Sequence, residues 1–207
     1  MVFSELQTIA LEAALEASIA ILEVYHQDFS ARIKNDGSPV TKADLISSKL
    51  ILDKLKHTRL PIINEETPKE TYDKRVRWER CWCVDPLDGT KEFIQKNGEF
   101  TVNIALIEDG APTFGIIAIP TQSEIYFGGR HFGTFKVPFN EVKSLDKAQK
   151  IIHKTTQEKT LTLLASRSHR SEGTNTYLNG LKKHVETIEI LYRGSAMKFV
   201  DLAMGRA

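Results

Sequence analysis

Val84-Asp85-Pro86-Leu87-Asp88-Gly89-Thr90, with Lys91-Glu92-Phe93 behind it, decides how the rest of the chain is read. The apolar run Trp82-Cys83-Val84 reads as the end of a buried strand, and Lys91 to Gln95 as the opening of a helix. The heptapeptide is then a strand-to-helix turn. Pro86 fixes its own φ and biases Asp85 towards extended backbone. Gly89 lets the chain pass close to a bound group, because it carries no Cβ. Two carboxylates three residues apart, followed by the amides of Gly89 and Thr90 at a helix start, are an arrangement for holding hard cations beside a phosphate. Asp-Pro and Asp-Gly are also ordinary turn dipeptides, so the motif takes its meaning from its flanks.

Upstream, Ser4 to Tyr25 reads as an amphipathic helix. Leu6, Ile9, Ala10, Ala13, Ala17, Ala20, Ile21 and Val24 share one stripe, and Ser4 with Gln7 matches a capping box. Ala31 to Val40 reads as an extended piece that ends in the turn Asp36-Gly37-Ser38-Pro39. Thr41 to Lys56 reads as a second helix, with Thr41 and Asp44 at the spacing of a cap and its acidic partner. Asp44 is therefore explained by capping alone. Leu60-Pro61-Ile62-Ile63 is a short strand that presents Asn64-Glu65-Glu66 at its carboxyl end, a usual place for sites in α/β folds and equally for a solvated loop. Thr67 to Arg80 reads as a surface loop or short helix.

Downstream, Phe100 to Glu108, Thr113 to Ile119, Glu124 to Gly128 and His131 to Val137 read as a meander with turns at Asp109-Gly110 and Pro120-Thr121-Gln122. Lys147 to Lys159 is polar and reads as a boundary. Beyond it, Thr160 to Ser166 (strand), Glu172 to Lys183 (helix), Val185 to Leu191 (strand) and Ser195 to Met204 (helix) alternate as an α/β unit. The expected fold is α/β with mixed sheets. Residues 1–150 make a first domain with two N-terminal helices, and 151–207 the start of a second, incomplete one.

Composition sets the outer bounds. The 207 residues carry 28 Lys plus Arg against 27 Asp plus Glu, so no cationic field points to nucleic acid. No apolar run approaches the roughly 18 residues of a membrane span, and the N-terminus lacks the pattern of a secretory signal. A cytoplasmic protein is expected, and a small anionic substrate steered by local charge remains allowed. Cys81 and Cys83 read as reduced structural thiols. His26, His57, His131, His153 and His184 lack ligand spacing.

The heptapeptide resembles the signature of the Mg²⁺-dependent, lithium-sensitive phosphomonoesterases related to inositol monophosphatase. The continuation Lys91-Glu92-Phe93-Ile94, then Asn97-Gly98-Glu99-Phe100-Thr101-Val102-Asn103-Ile104-Ala105-Leu106, resembles the CysQ-type 3′(2′),5′-bisphosphate nucleotidase branch. The likeness extends to Gly194-Ser195-Ala196-Met197-Lys198-Phe199. It implies a layered αβαβα architecture and two or three Mg²⁺ ions. Glu65, Asp85 and Asp88 are implied as ligands, with the Leu87 carbonyl as a further one. Thr90 and Glu65 would orient the attacking water, and Asp44 would serve a third ion and that water. The Gly89 and Thr90 amides, with Leu87 and Asp88, line the phosphate site. His169, Ser195 and Lys198 would contact a phosphorylated nucleotide.

The implied reaction removes the 3′-phosphate of adenosine 3′,5′-bisphosphate, giving AMP and phosphate. The alternatives are an inositol-phosphate or fructose-bisphosphate phosphatase with the same metal chemistry, or a non-catalytic binding protein. The resemblance also implies a continuation of roughly 40 to 60 residues past Ala207, to the size of a complete domain. That continuation would hold a Trp-Asp pair with a further metal ligand. Some members of the family associate with the inner face of the bacterial membrane. Oligomeric state is left open.

Overall fold

The computed structural model describes residues 3–34, 37–152, 160–167, 172–181, 185 and 187–207. Helix α1 (Glu5–Tyr25) starts at Ser4, whose hydroxyl accepts from the Gln7 amide while the Gln7 side chain accepts from the Ser4 amide, the capping box its sequence predicts. Its buried face is Ala10, Leu11, Ala13, Ala14, Ala17, Ser18, Ile21 and Val24, rotated from the expected stripe to include Leu11 and Ala14. Small side chains let α2 (Lys42–Leu55) pack closely against it. Between the two helices, β1 (Ala31–Ile33) and β2 (Pro39–Thr41) form an antiparallel hairpin where one extended piece is expected.

Strand β3 (Ile62–Asn64) opens a seven-stranded sheet. After a short helix α3 (Tyr72–Arg75) come β4 (Arg80–Asp88), α4 (Thr90–Ile94) and β5 (Thr101–Glu108). Next along the chain are β6 (Ala111–Ile119), β7 (Glu124–Gly129), β8 (Gly133–Pro138) and β9 (Gln149–Lys150). The strands lie in sequence order; β3 is parallel to β4 and every later pair is antiparallel. Within the polar stretch that starts at Lys147, Gln149 and Lys150 still pair with Lys136 and Phe135 of the large sheet.

The heptapeptide itself is not a turn after a strand. Strand β4 runs through it to Asp88, and its register with β5 slips between Asp85, opposite Asn103, and Asp88, opposite Thr101. Three steps on β4 face two on β5, so one residue bulges. A bulge is where a strand tolerates a proline, which has no amide to donate to the ladder.

Helices α1 and α2 cover one face of this sheet, around Trp82, Phe100, Val102, Ile104 and Phe127. Beneath the bulge, Phe93 of α4 and Phe100 meet at 5.1 Å and pack on Tyr25 at 5.2 and 4.9 Å. Such ring pairs contribute about 0.5–1.5 kcal/mol each beyond the area they bury. They fix the segments on either side of the Asn97-Gly98 turn.

The second unit holds β10 (Thr160–Ser166), α5 (Glu172–Leu181), β11 (Thr187–Arg193) and α6 (Met197–Ala203). Strands β10 and β11 are parallel and joined through α5, as a crossover connection requires. Helix α6 sets Met197 and Val200 against Ile119 and Tyr126 of the large sheet, and its contacts reach β10 as well. The layers therefore run helix, sheet, helix, sheet. Cys81 and Cys83 are both free thiols, the first buried and the second exposed.

Candidate active site

Helix α2 gathers the site. Ser47 Oγ donates to the Pro86 carbonyl at 2.6 Å and pins the bulge. Ser48 Oγ accepts from Asn64 Nδ2 at 2.8 Å, and Asn64 Oδ1 accepts from the Glu66 amide at 3.0 Å, which holds the segment after β3. The Glu65 amide donates to the Val84 carbonyl at 3.1 Å. Glu65 and Asp85 are thereby brought to the same end of two neighbouring parallel strands.

Asp44 is buried and uses both oxygens. Oδ2 accepts from the Thr41 amide at 2.7 Å and the Thr41 hydroxyl at 2.6 Å, while Oδ1 accepts from Thr90 Oγ1 at 2.9 Å. It caps its helix and also holds Thr90, so the two readings of this residue are not rivals. With its proton directed to Asp44, the Thr90 hydroxyl can only accept from a neighbouring water. The Leu87 carbonyl lies 3.4 Å from the same hydroxyl.

Burial, then the charges of Glu65 and Asp88 and a hydrogen bond with Glu65, push the Asp85 carboxyl up to about 8, with the Leu87 amide opposing at 3.2 Å. Asp88 is also pushed up by burial, against hydrogen bonds from the Ala196 amide and Asn103 Nδ2 (3.4 Å) and the charge of Lys198. Among the described residues no three His, Cys, Asp or Glu side chains stand as a closed metal-ligand cluster. The donor set nevertheless fits a divalent ion: oxygen ligands only, carboxylates crowded until one resists ionisation, and a buried Asn103 Oδ1 with no hydrogen-bond partner beside them.

Gly89 has φ 94°, and a Cβ there would come within 2.9 Å of the Glu99 carbonyl and 3.2 Å of Ser195 Cβ. Only glycine fits where the two units approach. Across a cleft of about 470 Å³, Ser195 sits at φ 48° and its carbonyl accepts from Lys198 Nζ at 2.6 Å. His169 lies outside the described residues.

Three contributors escape sequence reasoning. Lys34, from the β1–β2 hairpin, reaches Glu66 Oε1 at 2.5 Å and Glu65 Oε1 at 3.7 Å. Burial works against its ammonium, but the hydrogen bond and charge of Glu66, with Glu65 and Asp44, hold its pKa above the ordinary value. Asn103 is brought beside Asp85 by the β4–β5 register. Ser47 acts through a single carbonyl thirty-nine positions away. Alternation along β5 puts Asn103 on one face with Thr101, but only the bulge decides which acid it meets.

The fold and this cleft define a layered α/β protein with a convergent acidic centre. The inositol monophosphatase family model matches residues 3–207, and the chain belongs to that family. It is 37% identical over 202 residues to the 3′(2′),5′-bisphosphate nucleotidase CysQ of Salmonella typhimurium and 36% identical over 202 residues to that of Escherichia coli K12, covering 95% of this chain and 76% of each relative. The crystal structure of CysQ from Bacteroides thetaiotaomicron, a bacterial member of the inositol monophosphatase family, superposes with a TM-score of 0.82 at 36% identity. That match covers 96% of this chain and 76% of the other. A suhB protein from Bartonella henselae, at 23% identity and a TM-score of 0.80, shares the fold. The chain thus spans about three quarters of the length of these relatives. Family membership implies dependence on a divalent metal. No helix among the described residues is long and apolar enough to cross a membrane.

Proposed function

We propose that the protein is a 3′(2′),5′-bisphosphate nucleotidase that removes the 3′-phosphate of adenosine 3′,5′-bisphosphate to give AMP and phosphate. The observation that carries this reading is the gathering of Asp85 with Glu65 and Asp88, and the Asp44–Thr90 hydrogen bond behind Asp88, in a chain 36–37% identical to CysQ relatives. Residues 1–150 act as the metal- and phosphate-binding unit, and 151–207 as the substrate-facing one.

Glu65, Asp85, Asp88 and the Leu87 carbonyl would hold Mg²⁺, as two or three ions, with Asp44 close to the last. Bound Mg²⁺ neutralises phosphate charge and acidifies a water. The protein's own groups do the aiming. Thr90 Oγ1, its proton committed to Asp44, accepts from the attacking water, and Glu65 takes that water's proton. The water's lone pair is thereby directed at phosphorus; as the new P–O bond forms, the bond to the 3′-oxygen opposite it breaks, and that oxygen takes a proton from solvent to become the 3′-hydroxyl of AMP. Phosphoryl transfer requires this positioning and charge neutralisation more than a covalent nucleophile. Gly89 and Thr90 present amides to the phosphate, while Ser195 and Lys198, with His169, face the rest of the nucleotide. A small phosphorylated nucleotide as substrate supports a cytoplasmic enzyme.

The test is phosphate release from adenosine 3′,5′-bisphosphate, myo-inositol 1-phosphate and fructose 1,6-bisphosphate, each with Mg²⁺ and with chelator. Mg²⁺-dependent turnover that favours the nucleotide is expected. A preference for either sugar or cyclitol phosphate would reassign the substrate, and turnover undiminished by chelator would remove the metal.

A further inference from the structure

Glu99 stands in the loop between α4 and β5, outside the acidic centre, yet it touches both turns that face the cleft. Its backbone carbonyl lies where a Cβ on Gly89 or on Gly194 would approach to 2.9 Å. Its carboxylate faces the other way, towards the second sheet. Oε2 accepts from Arg167 Nε at 2.8 Å and from the Gly194 amide at 2.7 Å, and Oε1 accepts from Arg167 Nη2 at 2.7 Å. Arg193 Nη1 lies 3.7 Å from Oε1. Arg167 comes directly after the last residue of β10, Arg193 ends β11, and Gly194 is next to it. One carboxylate therefore clasps the ends of both strands of the second sheet.

The turn at 194–198 is part of the cleft wall. Ser195 is in the left-handed region, the Ala196 amide bonds Asp88, and the Ser195 carbonyl holds Lys198 Nζ. A non-glycine residue in that backbone region persists only where its surroundings impose it. The forked, two-point pairing of an arginine with a carboxylate supplies directional restraint of this kind. The Glu99 side chain is only 13% exposed. The Arg167 hydrogen bond holds its carboxyl below the usual range, against burial, so it stays charged at neutral pH.

We propose that Glu99 is a positioning residue for the nucleotide: acting through Arg167 and the Gly194 amide, it sets the Gly194–Ser195–Ala196 turn, and with it Lys198, at the distance from the Gly89 turn that a phosphorylated nucleoside requires. This rests on the nucleotidase reading and deepens it, since the acids that act on the phosphate are carried by the first unit and, of them, only Asp88 is reached by the turn, through the Ala196 amide. Loss of the clasp should weaken hold on the nucleoside part of the substrate more than attack on phosphorus.

The experiment compares wild type, Glu99→Gln and Arg167→Gln by steady-state kinetics on two substrates with saturating Mg²⁺. One is adenosine 3′,5′-bisphosphate, and the other is p-nitrophenyl phosphate, a phosphomonoester without a nucleoside. Glu99→Gln keeps the shape but replaces one acceptor oxygen with a donor. It is expected to raise KM for the nucleotide about tenfold with kcat changed less than about twofold, the signature of lost binding that is uniform between ground and transition state. Its kcat/KM on p-nitrophenyl phosphate should fall less than about threefold on the same reasoning. Arg167→Gln should move both values in the same direction and by less, because the Gly194 amide keeps its acceptor. Equal losses on both substrates, or no loss on either, overturn the proposal. So does failure of both variants to fold, judged by circular dichroism, since Glu99 would then serve the fold alone. Wild-type protein that turns over p-nitrophenyl phosphate but not the nucleotide overturns the nucleotidase reading itself, and the proposal falls with it. Wild-type turnover of both substrates with unselective variants overturns the proposal alone.

Discussion

The two turns that face each other across the cleft, 85–90 and 194–198, are held by different forces. The first is a bulge inside a buried strand, roofed by α2 through the Ser47–Pro86 and Asp44–Thr90 hydrogen bonds and floored by Phe93 and Phe100. The second lies at the end of a two-stranded sheet and is held by charged hydrogen bonds to Glu99, and by Asp201, which accepts from Arg193 at 2.7 Å and from Arg206 at 2.7 Å. Partly exposed ion pairs are weakened by salt, and those of Glu99 by acid as well, whereas the Phe93–Phe100 packing at the first turn carries no charge to screen. The contrast separates the labour: the rigid turn carries the reacting groups, and the charge-held turn shapes the pocket that presents the substrate to them.

The largest effect should come from the rigid turn. Asp85→Asn is expected to lower kcat about a thousandfold or more, the loss expected when a positioned metal ligand is removed. The same change should raise stability in chelator, because it removes a buried carboxylate crowded by Glu65 and Asp88. Relief of about 1 kcal/mol would raise Tm by roughly 2–4 °C in a chain of this size. An inactive variant with a lower Tm would mean that Asp85 supports the fold as well as the site.

Gly89→Ala tests whether the two turns must touch. Its methyl would meet the Glu99 carbonyl and Ser195 at a positive φ, so a loss of about 1–3 kcal/mol is expected by urea denaturation. Gly37→Ala is the control, with φ 83° and nothing within 4 Å of the added carbon. Equal losses at the two positions would show that backbone strain, and not the contact between turns, is what Gly89 relieves.

Asp44→Asn asks whether the cap and the site share one residue. An amide keeps one acceptor oxygen, so it can accept from Thr41 or from the Thr90 hydroxyl but not from both sides at once. A fall in kcat of about tenfold, less than the roughly hundredfold or more for a lost proton acceptor because Asp44 acts only through Thr90, should accompany a stability loss of about 1 kcal/mol for the weakened cap. Loss of stability with kcat intact would leave Asp44 a cap and nothing more.

The smallest effect belongs to the charge-held turn. Glu99 is held below its ordinary 4.5, so the stability it contributes is fully present above that value and is lost as pH falls through its lower folded value. Glu99→Gln should therefore lower the urea midpoint near pH 7 and leave it flatter than wild type as pH falls below about 4.5. High salt should reduce the difference between wild type and variant. An unchanged acid limb would mean that the second turn is held by packing after all.

Much of this was legible in the chain. The α1 capping box, the Thr41–Asp44 cap, the Asp109-Gly110 turn and the strand–helix order of the second unit all depend on neighbours within a few positions. So did the suspicion that falls on Glu65, Asp85 and Asp88, since acids at the ends of apolar runs can be seen without a structure. The acids are named by their flanks; their partners are not.

What only the tertiary structure decided lies at long separation. The bulge arises because Pro86 sits in a strand that pairs with β5 on either side of it, at Asp85 and at Asp88, which depends on the register of β5. The position of Asn103 beside Asp85 depends on that same register. Asp44 meets Thr90 across forty-six positions, and Glu99 meets Arg167 across sixty-eight. The sequence by itself determined which segments become helices and strands and which acids end them, because propensity, capping and alternation are local properties of the chain. Which of those acids share a cleft, and which charge holds its far wall, was set by packing α2 on the sheet and closing the second unit against Glu99. Contacts of that range are settled only when whole buried faces are matched, and no local pattern encodes them.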